Sequence, residues 1–249
     1  MSTYVLVHGS WHGSWCWRKV IGPLEEAGHR VVAIDLPGHG GDGVRARDIT
    51  LESYVGCVTE VLDALEERAI LVGHSRGGVV ISQSAEARPE KIERLVYLAA
   101  YLLRNGETMF ATALSDTESL IVSHLEVNEA EGWHMVRERG MRECLYADCT
   151  EEDLALARSK LEPEANMPAV TPVRLSEGKF GRVPRVYIEC LQDRVVSLSM
   201  QRKMQAKLPC ERVFSLDTGH SPFLSAPEEL AECLLAVARE TAPSDQSST

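Results

Sequence analysis

Five residues, Gly73-His74-Ser75-Arg76-Gly77, constrain this chain more than any others. They follow an apolar run, Ala69-Ile70-Leu71-Val72, and lead into Gly78-Val79-Val80-Ile81, which reads as a buried helix. A strand that turns sharply into a helix, with serine at the apex, is the setting of a nucleophile elbow. The turn forces the serine into a strained backbone conformation. Side chains two residues to either side would collide with it, so both positions require glycine. Glycine is common enough that the bare pattern arises by chance in roughly 8 of 100 chains of this length. The strand before it and the helix after it give the motif its weight.

The remaining pattern predicts an α/β fold. Tyr4-Val5-Leu6-Val7 reads as a buried strand ending at His8-Gly9, followed by a loop with three tryptophans, Trp11, Trp15 and Trp17. A helix to Ala27, a strand from Arg30 to Asp35 and an amphipathic helix over Thr50 to Glu67 lead to the elbow, and Leu95 to Ala100 is the next apolar strand. Continuous apolar strands alternating with helices mean a mostly parallel sheet flanked by helices on both faces. The alternation then breaks. Arg104 to Gly181 is long, polar and helical in character, and reads as a helical cap inserted before the strand that leads to the candidate acid. Strands over Arg185 to Cys190 and Glu211 to Leu216, with a helix between them from about Ser197 to Lys207, resume the sheet. The expected organisation is a core of 1–103 and 182–241, a cap of 104–181 and a polar, disordered tail over 242–249.

Composition limits the function. The formal charge of −11 on 249 residues argues against nucleic acid and anionic membrane surfaces as partners. No apolar stretch approaches the ~20 residues that span a bilayer. Only Met1-Ser2-Thr3 precede the first strand, so no signal peptide is expected. Seven scattered cysteines with no C-x-x-C pair suit free thiols in a reducing cytoplasm. Cys16 and Cys190 are read as buried packing.

A serine hydroxyl needs a positioned base with a pKa near neutrality, and histidine supplies one. Of eight histidines, His220 stands out, because it follows a late strand by a short Thr-Gly loop and comes after a candidate acid. His8 and His12 lie on a loop, so their spacing does not make a helical zinc pair, and His74 should point away from Ser75. The acid must sit in a loop at the sheet's carboxyl edge. Asp193 does, Glu189 lies inside a strand, and Asp217, the runner-up, is expected to hold its own loop. Asp35 is expected to bond its own turn. Backbone N–H groups of Ser10 and Arg76 are the candidate oxyanion donors.

The segments VLVHGSWHGSWCW (Val5 to Trp17), AIDLPGHG (Ala33 to Gly40), VGHSRGG (Val72 to Gly78), LYADCTEEDLALA (Leu145 to Ala157), VYIECLQD (Val186 to Asp193) and GHSPFLSAPEELA (Gly219 to Ala231) carry a resemblance. They are similar to the α/β-hydrolase superfamily, specifically its branch of plant methylesterases, hydroxynitrile lyases and bacterial esterases, from Tyr4 to about Ala238. The chain order Ser75, Asp193, His220 is that of these hydrolases. The resemblance implies that triad, Ser10 and Arg76 as oxyanion donors, no metal, and a pocket between sheet and cap. Trp11, Trp133 and Ser221 are the pocket candidates, with Met135, Leu154 and Leu161 as further apolar cap residues. The lyases carry a lysine directly after the catalytic histidine and a threonine at the position of Gly9. Ser221 and Gly9 therefore disfavour cyanohydrin cleavage. Arg76 departs from a position that is usually uncharged; its side chain is either solvated or paired with a carboxylate on the helix, or it lines the pocket and favours an ester bearing an anionic or polar group. The expected function is a cytoplasmic, cofactor-free serine carboxylesterase acting on a small-to-medium, largely apolar ester through an acyl-enzyme. A ligand receptor with slow hydrolysis and a hydroxynitrile lyase are the alternatives. The partner is a small-molecule ester, with no nucleic acid or membrane, and dimers are common in the branch, so a homodimer is compatible with it.

Overall fold

The computed structural model of the chain describes residues 1–241. The expected tail over 242–249 lies outside the described residues. Nine strands occur among these in the order β1 (Thr3–Val7), β2 (Arg30–Ile34), β3 (Ala69–His74), β4 (Ile92–Leu98), β5 (Leu125–Asn128), β6 (Trp133–Val136), β7 (Glu164–Ala165), β8 (Arg185–Cys190) and β9 (Arg212–Leu216). Six of them form one sheet ordered β2-β1-β3-β4-β8-β9, every neighbouring pair parallel. The central strands β1 and β3 are buried along their whole length, as uninterrupted Val/Ile/Leu runs require when helices cover a sheet.

The flanking helices are α1 (Arg18–Glu26), α2 (Leu51–Ala64) and α3 (Gly77–Ala87), followed in the cap by α4 (Met109–Leu114), α5 (Glu151–Lys160) and α6 (Met167–Val170). The core closes with α7 (Leu198–Lys207) and α8 (Pro227–Thr241). α2 packs against α3, and α1 against α8. Helix α2 starts at a reciprocal capping box: the Thr50 hydroxyl accepts from Ser53 N–H at 3.2 Å, and Ser53 Oγ accepts from Thr50 N–H at 3.1 Å.

The insertion between β4 and β8, expected as a largely helical cap in which nothing resembles a strand, is not helical throughout. Its strands β5, β6 and β7 form a second, antiparallel sheet. The hairpin between β5 and β6 turns on Asn128, whose carbonyl accepts from Gly132 N–H at 2.9 Å and whose side chain accepts from Glu131 N–H at 3.0 Å. Gly132 takes the left-handed conformation the turn needs (φ +74°). The insertion is tied to the core by Asp153 on α5, whose carboxylate oxygens lie 2.8 Å from Arg18 Nη2 and 2.8 Å from Lys19 Nζ on α1.

The close approach of α3 to the end of β4 yields a prediction. A Cβ at Gly78 would sit 2.5 Å from the Tyr101 carbonyl oxygen, whereas one at Gly56, within α2, would meet nothing within 4 Å. Gly78→Ala should cost about 2 kcal/mol or more through overpacking. Gly56→Ala should stabilise by about 0.5–1 kcal/mol through helix propensity. Urea unfolding of the two variants is the check; shifts of the same sign would contradict the reading.

Candidate active site

Ser75 occupies the turn between β3 and α3 with φ +53°, a left-handed conformation that costs a non-glycine residue free energy. Its backbone is held from both sides: its N–H donates to the Leu98 carbonyl at 3.1 Å, and its carbonyl accepts from Tyr101 N–H at 3.0 Å and Gly78 N–H at 3.1 Å. The flanking glycines have the steric role expected. A Cβ at Gly73 would lie 2.6 Å from the Gly77 carbonyl oxygen, and one at Gly77 would lie 2.9 Å from that of Val7.

The loop after β8 carries Asp193 and the loop after β9 carries His220. Asp193 Oδ1 accepts from Val195 N–H at 2.7 Å and Val196 N–H at 3.0 Å, which aims Oδ2 at His220 Nδ1, 2.8 Å away. A carboxylate can only accept, so His220 Nδ1 carries the proton and Nε2 keeps its lone pair. Two residues absent from the sequence-derived set hold this loop. His74 Nε2–H donates to the His220 carbonyl at 2.8 Å, and Asp148 Oδ2 accepts from Gly219 N–H at 2.7 Å. Asp217 instead accepts from Gln192 Nε2 at 2.9 Å, and Glu189 pairs with Arg202 at 2.8 Å. Asp35 does not bond its own turn; it accepts from the N–H and hydroxyl of Ser14 at 2.6 and 2.9 Å, across to the loop after β1. Cys16 and Cys190 are buried, and burial pushes both thiols well above their ordinary pKa.

Among the hydrogen bonds of the described residues, neither Ser10 N–H nor Arg76 N–H has a protein acceptor. The Gly9 carbonyl, in the same peptide unit as Ser10 N–H, accepts from His8 Nδ1–H at 2.8 Å. In a trans peptide C=O and N–H point oppositely, so this bond turns Ser10 N–H away from His8. The Arg76 side chain does not enter the cavity. It is buried with its guanidinium 4.4 Å from the Tyr54 ring centroid, and Nη1 lies 2.5 Å from Glu164 Oε1 on β7. Burial alone would raise the Glu164 carboxyl, but the Arg76 guanidinium, aided by His39, holds it well below the usual carboxylate range. None of the expectations for Arg76 holds as made: its side chain is neither solvated nor pocket-lining, and the carboxylate it pairs with lies on the cap strand β7 rather than on its own helix.

A cavity of about 280 Å³ is lined by Ser75, Ser10 and Trp11 from the core and mainly by apolar cap residues. Of the pocket candidates, Trp11 lines it, whereas Trp133 and Ser221 do not. Successive strand side chains face opposite ways, and on β6 it is His134, next to Trp133, that faces the cavity. Ser221 is buried, and its hydroxyl has no hydrogen-bond partner among the described residues. Leu154 is packed in the core, and neither it, Met135 nor Leu161 lines the cavity. The wall is built by residues that periodicity did not single out, including Met109, Phe110 and Leu114 on α4 and Leu125 and Val127 on β5. Phe110, Leu114 and Val127 are each more than half exposed, so the lining continues outward as an apolar rim. No group of His, Cys, Asp and Glu among the described residues is arranged to hold a metal ion, and no helix is long and apolar enough to cross a membrane.

A parallel six-stranded sheet with a strained serine between its third strand and the following helix, and an Asp–His pair on later strand ends, defines an α/β hydrolase. The chain belongs to the alpha/beta hydrolase family, whose sequence pattern matches residues 4–233. It is 35% identical over 248 residues to putative methylesterase 11, chloroplastic, of Arabidopsis thaliana, a match covering 95% of this chain and 64% of that protein. The chain thus spans just under two thirds of that relative's length. It is 34% identical over 254 residues to the pyrethroid hydrolase of Sphingobium wenxiniae, covering 98% of this chain and 90% of that one. Among solved structures, polyneuridine aldehyde esterase superposes with a TM-score of 0.87 at 27% identity, covering 96% of this chain and 99% of the other.

Three buried histidines hold the loops of this site while neutral. His8 Nδ1–H donates to the Gly9 carbonyl while Nε2 accepts from Leu36 N–H at 3.1 Å. His12 Nδ1–H donates to the Ser10 carbonyl at 2.8 Å while Nε2 accepts from the Tyr146 hydroxyl at 2.7 Å. Burial pushes the His8 and His74 imidazoles well below their ordinary pKa and holds His12 at about 3. A group with a depressed folded-state pKa binds protons first in the unfolded chain. The stability associated with these histidines is therefore fully present above about pH 6.5 and is lost as pH falls below it, at about 1.4 kcal/mol per pH unit for each at full effect. Paired carboxylates add their loss only near pH 4, so the window from pH 7 to 5 isolates the histidines. Urea-unfolding free energies should fall steadily across that window, and His12→Asn should flatten the slope; a pH-independent free energy from 7 to 5 would contradict the assignment.

Proposed function

We propose that the protein is a cofactor-free serine carboxylic ester hydrolase whose nucleophile is Ser75, with His220 as base and Asp193 as its orienting carboxylate. The observation that carries this reading is the strained serine lining an apolar cavity, with a histidine whose Nδ1 is bonded to a buried carboxylate following a later strand at the same edge of the sheet. Ser75 Oγ attacks the ester carbonyl carbon as its proton passes to His220 Nε2. The carbonyl π-electrons move to oxygen, and the resulting oxyanion is met by Ser10 N–H and Arg76 N–H. Collapse expels the alkoxide, which takes the proton from His220 and leaves as alcohol. Water, giving its proton to His220, then attacks the acyl-enzyme and frees the acid and Ser75. The names of the related methylesterase, pyrethroid hydrolase and aldehyde esterase support ester hydrolysis as the reaction.

The cavity supports a small-to-medium apolar acyl or alcohol group, with the exposed rim of Phe110, Leu114 and Val127 accommodating a part that extends beyond it. Cyanohydrin cleavage is disfavoured by the space at position 9. A Cβ there would lie 2.7 Å from His74 Nδ1 and 2.9 Å from Ser75 Cβ, so a threonine does not fit without displacing the elbow.

Stopped-flow hydrolysis of p-nitrophenyl butyrate should show a burst of one equivalent and then sustained turnover. Ser75→Ala should show neither, and activity near wild type in that variant would overturn the reading. Asp193→Asn should lower kcat by about 10⁴-fold. Across p-nitrophenyl acetate, propionate and butyrate, kcat/KM should rise about fourfold per methylene, the effect of burying ~0.8 kcal/mol per CH₂. A flat or falling series would exclude the apolar cavity as the acyl site.

A further inference from the structure

We propose that Glu164 is a positioning residue for the oxyanion donors, an inference that rests on the serine esterase reading above. One fully buried carboxylate on the cap strand β7 reaches both halves of the oxyanion site. Its Oε2 accepts from Trp11 N–H at 3.1 Å, the residue next to Ser10, and its Oε1 lies 2.5 Å from Arg76 Nη1. Oε1 also accepts from the Tyr54 hydroxyl at 2.7 Å, and Oε2 lies 3.4 Å from His39 Nε2.

The grip on Trp11 falls where the backbone needs it. Trp11 adopts φ +65°, a conformation that a bulky residue leaves unless it is held there. The peptide unit joining Ser10 to Trp11 is fixed at both ends, its carbonyl by His12 Nδ1–H and its N–H by Glu164. Two more bonds bind Trp11 to the cap: its carbonyl accepts from Glu162 N–H at 3.0 Å, just before β7, and its indole N–H donates to the His134 carbonyl on β6 at 3.2 Å. A plain cap-to-core ion pair would require none of this. Charge attraction is satisfied by Arg76 alone, whereas the second carboxylate oxygen is committed to a strained main-chain N–H beside the reacting serine. The cap thereby sets the geometry of the donors as well as covering the cavity.

The test removes charge and acceptor separately. In an Arg76→Leu background, which leaves no stranded cation, Glu164→Gln keeps an oxygen for Trp11 N–H and Glu164→Met keeps none. The glutamine variant should retain kcat for p-nitrophenyl butyrate at least 30-fold above the methionine variant, with KM within twofold. Losing one oxyanion donor outright costs about 10²–10³ in kcat, so a misplaced one should cost a large part of that. Hydrogen exchange at the Trp11 amide, read without substrate, should stay slow in wild type and the glutamine variant and become at least tenfold faster in the methionine variant. Equal kcat, or equal Trp11 exchange, in the two variants overturns the proposal. Should the methionine variant not fold, Glu164→Asp in the wild-type background keeps the charge but withdraws the carboxylate by one methylene; unchanged kcat and unchanged Trp11 exchange there also overturn it. A wild type that hydrolyses no ester would remove the esterase reading, while the exchange comparison still decides whether Glu164 holds the loop.

Discussion

The site depends on one strained residue. Ser75 keeps φ +53° because the end of β4, the segment just after it and the first turn of α3 hold its N–H and carbonyl, and because glycines at 73, 77 and 78 let the turn close tightly on itself and against the backbones at Val7 and Tyr101. The strain has a consequence for the whole sheet. With all six strands parallel, every strand delivers its carboxyl end to the same edge. Ser10 follows β1, Ser75 follows β3, Asp193 follows β8 and His220 follows β9. Residues separated by up to 210 positions are thereby brought together by topology alone, and the elbow lifts one of them out to where a ligand can reach it.

Rigidity at that edge comes from polar side chains bonded to loop backbone. His8, His12 and His74 each give an N–H to a carbonyl of a site loop, and Asp148 takes the N–H of Gly219. A neutral imidazole suits this task, since it can donate from one nitrogen and accept at the other without a buried charge. Protonation would replace the acceptor lone pairs that Leu36 N–H and the Tyr146 hydroxyl meet on His8 and His12. Four histidines therefore share one region in two electrostatic roles. Three are neutral fasteners, and the fourth, His220, is bonded to the Asp193 carboxylate.

The core was legible because its signals are local and periodic. Six apolar runs mark the six sheet strands, and the elbow glycines mark the serine. The late Thr218-Gly219 loop marks His220, and Asp193 is the acid in the loop that ends the preceding strand. The cap was harder to read. Strands of two to four residues leave too few positions to establish a period, so β5 to β7 passed for helical sequence. With the strand missed, its parity was missed too, which is why Trp133 stood out by size although His134 is the residue that faces the cavity. The signal that was available is the Asn128-to-Gly132 turn between two apolar pairs. Glu164 had no local signal at all: its partners Trp11, Tyr54 and Arg76 lie 153, 110 and 88 positions away, and only the folded chain unites them.

That buried pair also bears on what a cap is for. Desolvating a carboxylate and a guanidinium costs several kcal/mol each, and a well-packed apolar pair of similar volume is commonly as stable or more so. Stability is therefore a weak reason for Arg76 and Glu164 to face one another fully buried. Geometry is a stronger one. An apolar contact is non-directional and tolerates sliding of one element over another, whereas a carboxylate that accepts from one main-chain N–H and one hydroxyl while facing a guanidinium permits a single arrangement. The cap sheet is thereby fixed in register with both the loop after β1 and the start of α3. On the proposed mechanism, in which two N–H groups meet an oxygen at about 3 Å, an error of an ångström in that register would forfeit most of what the donors contribute.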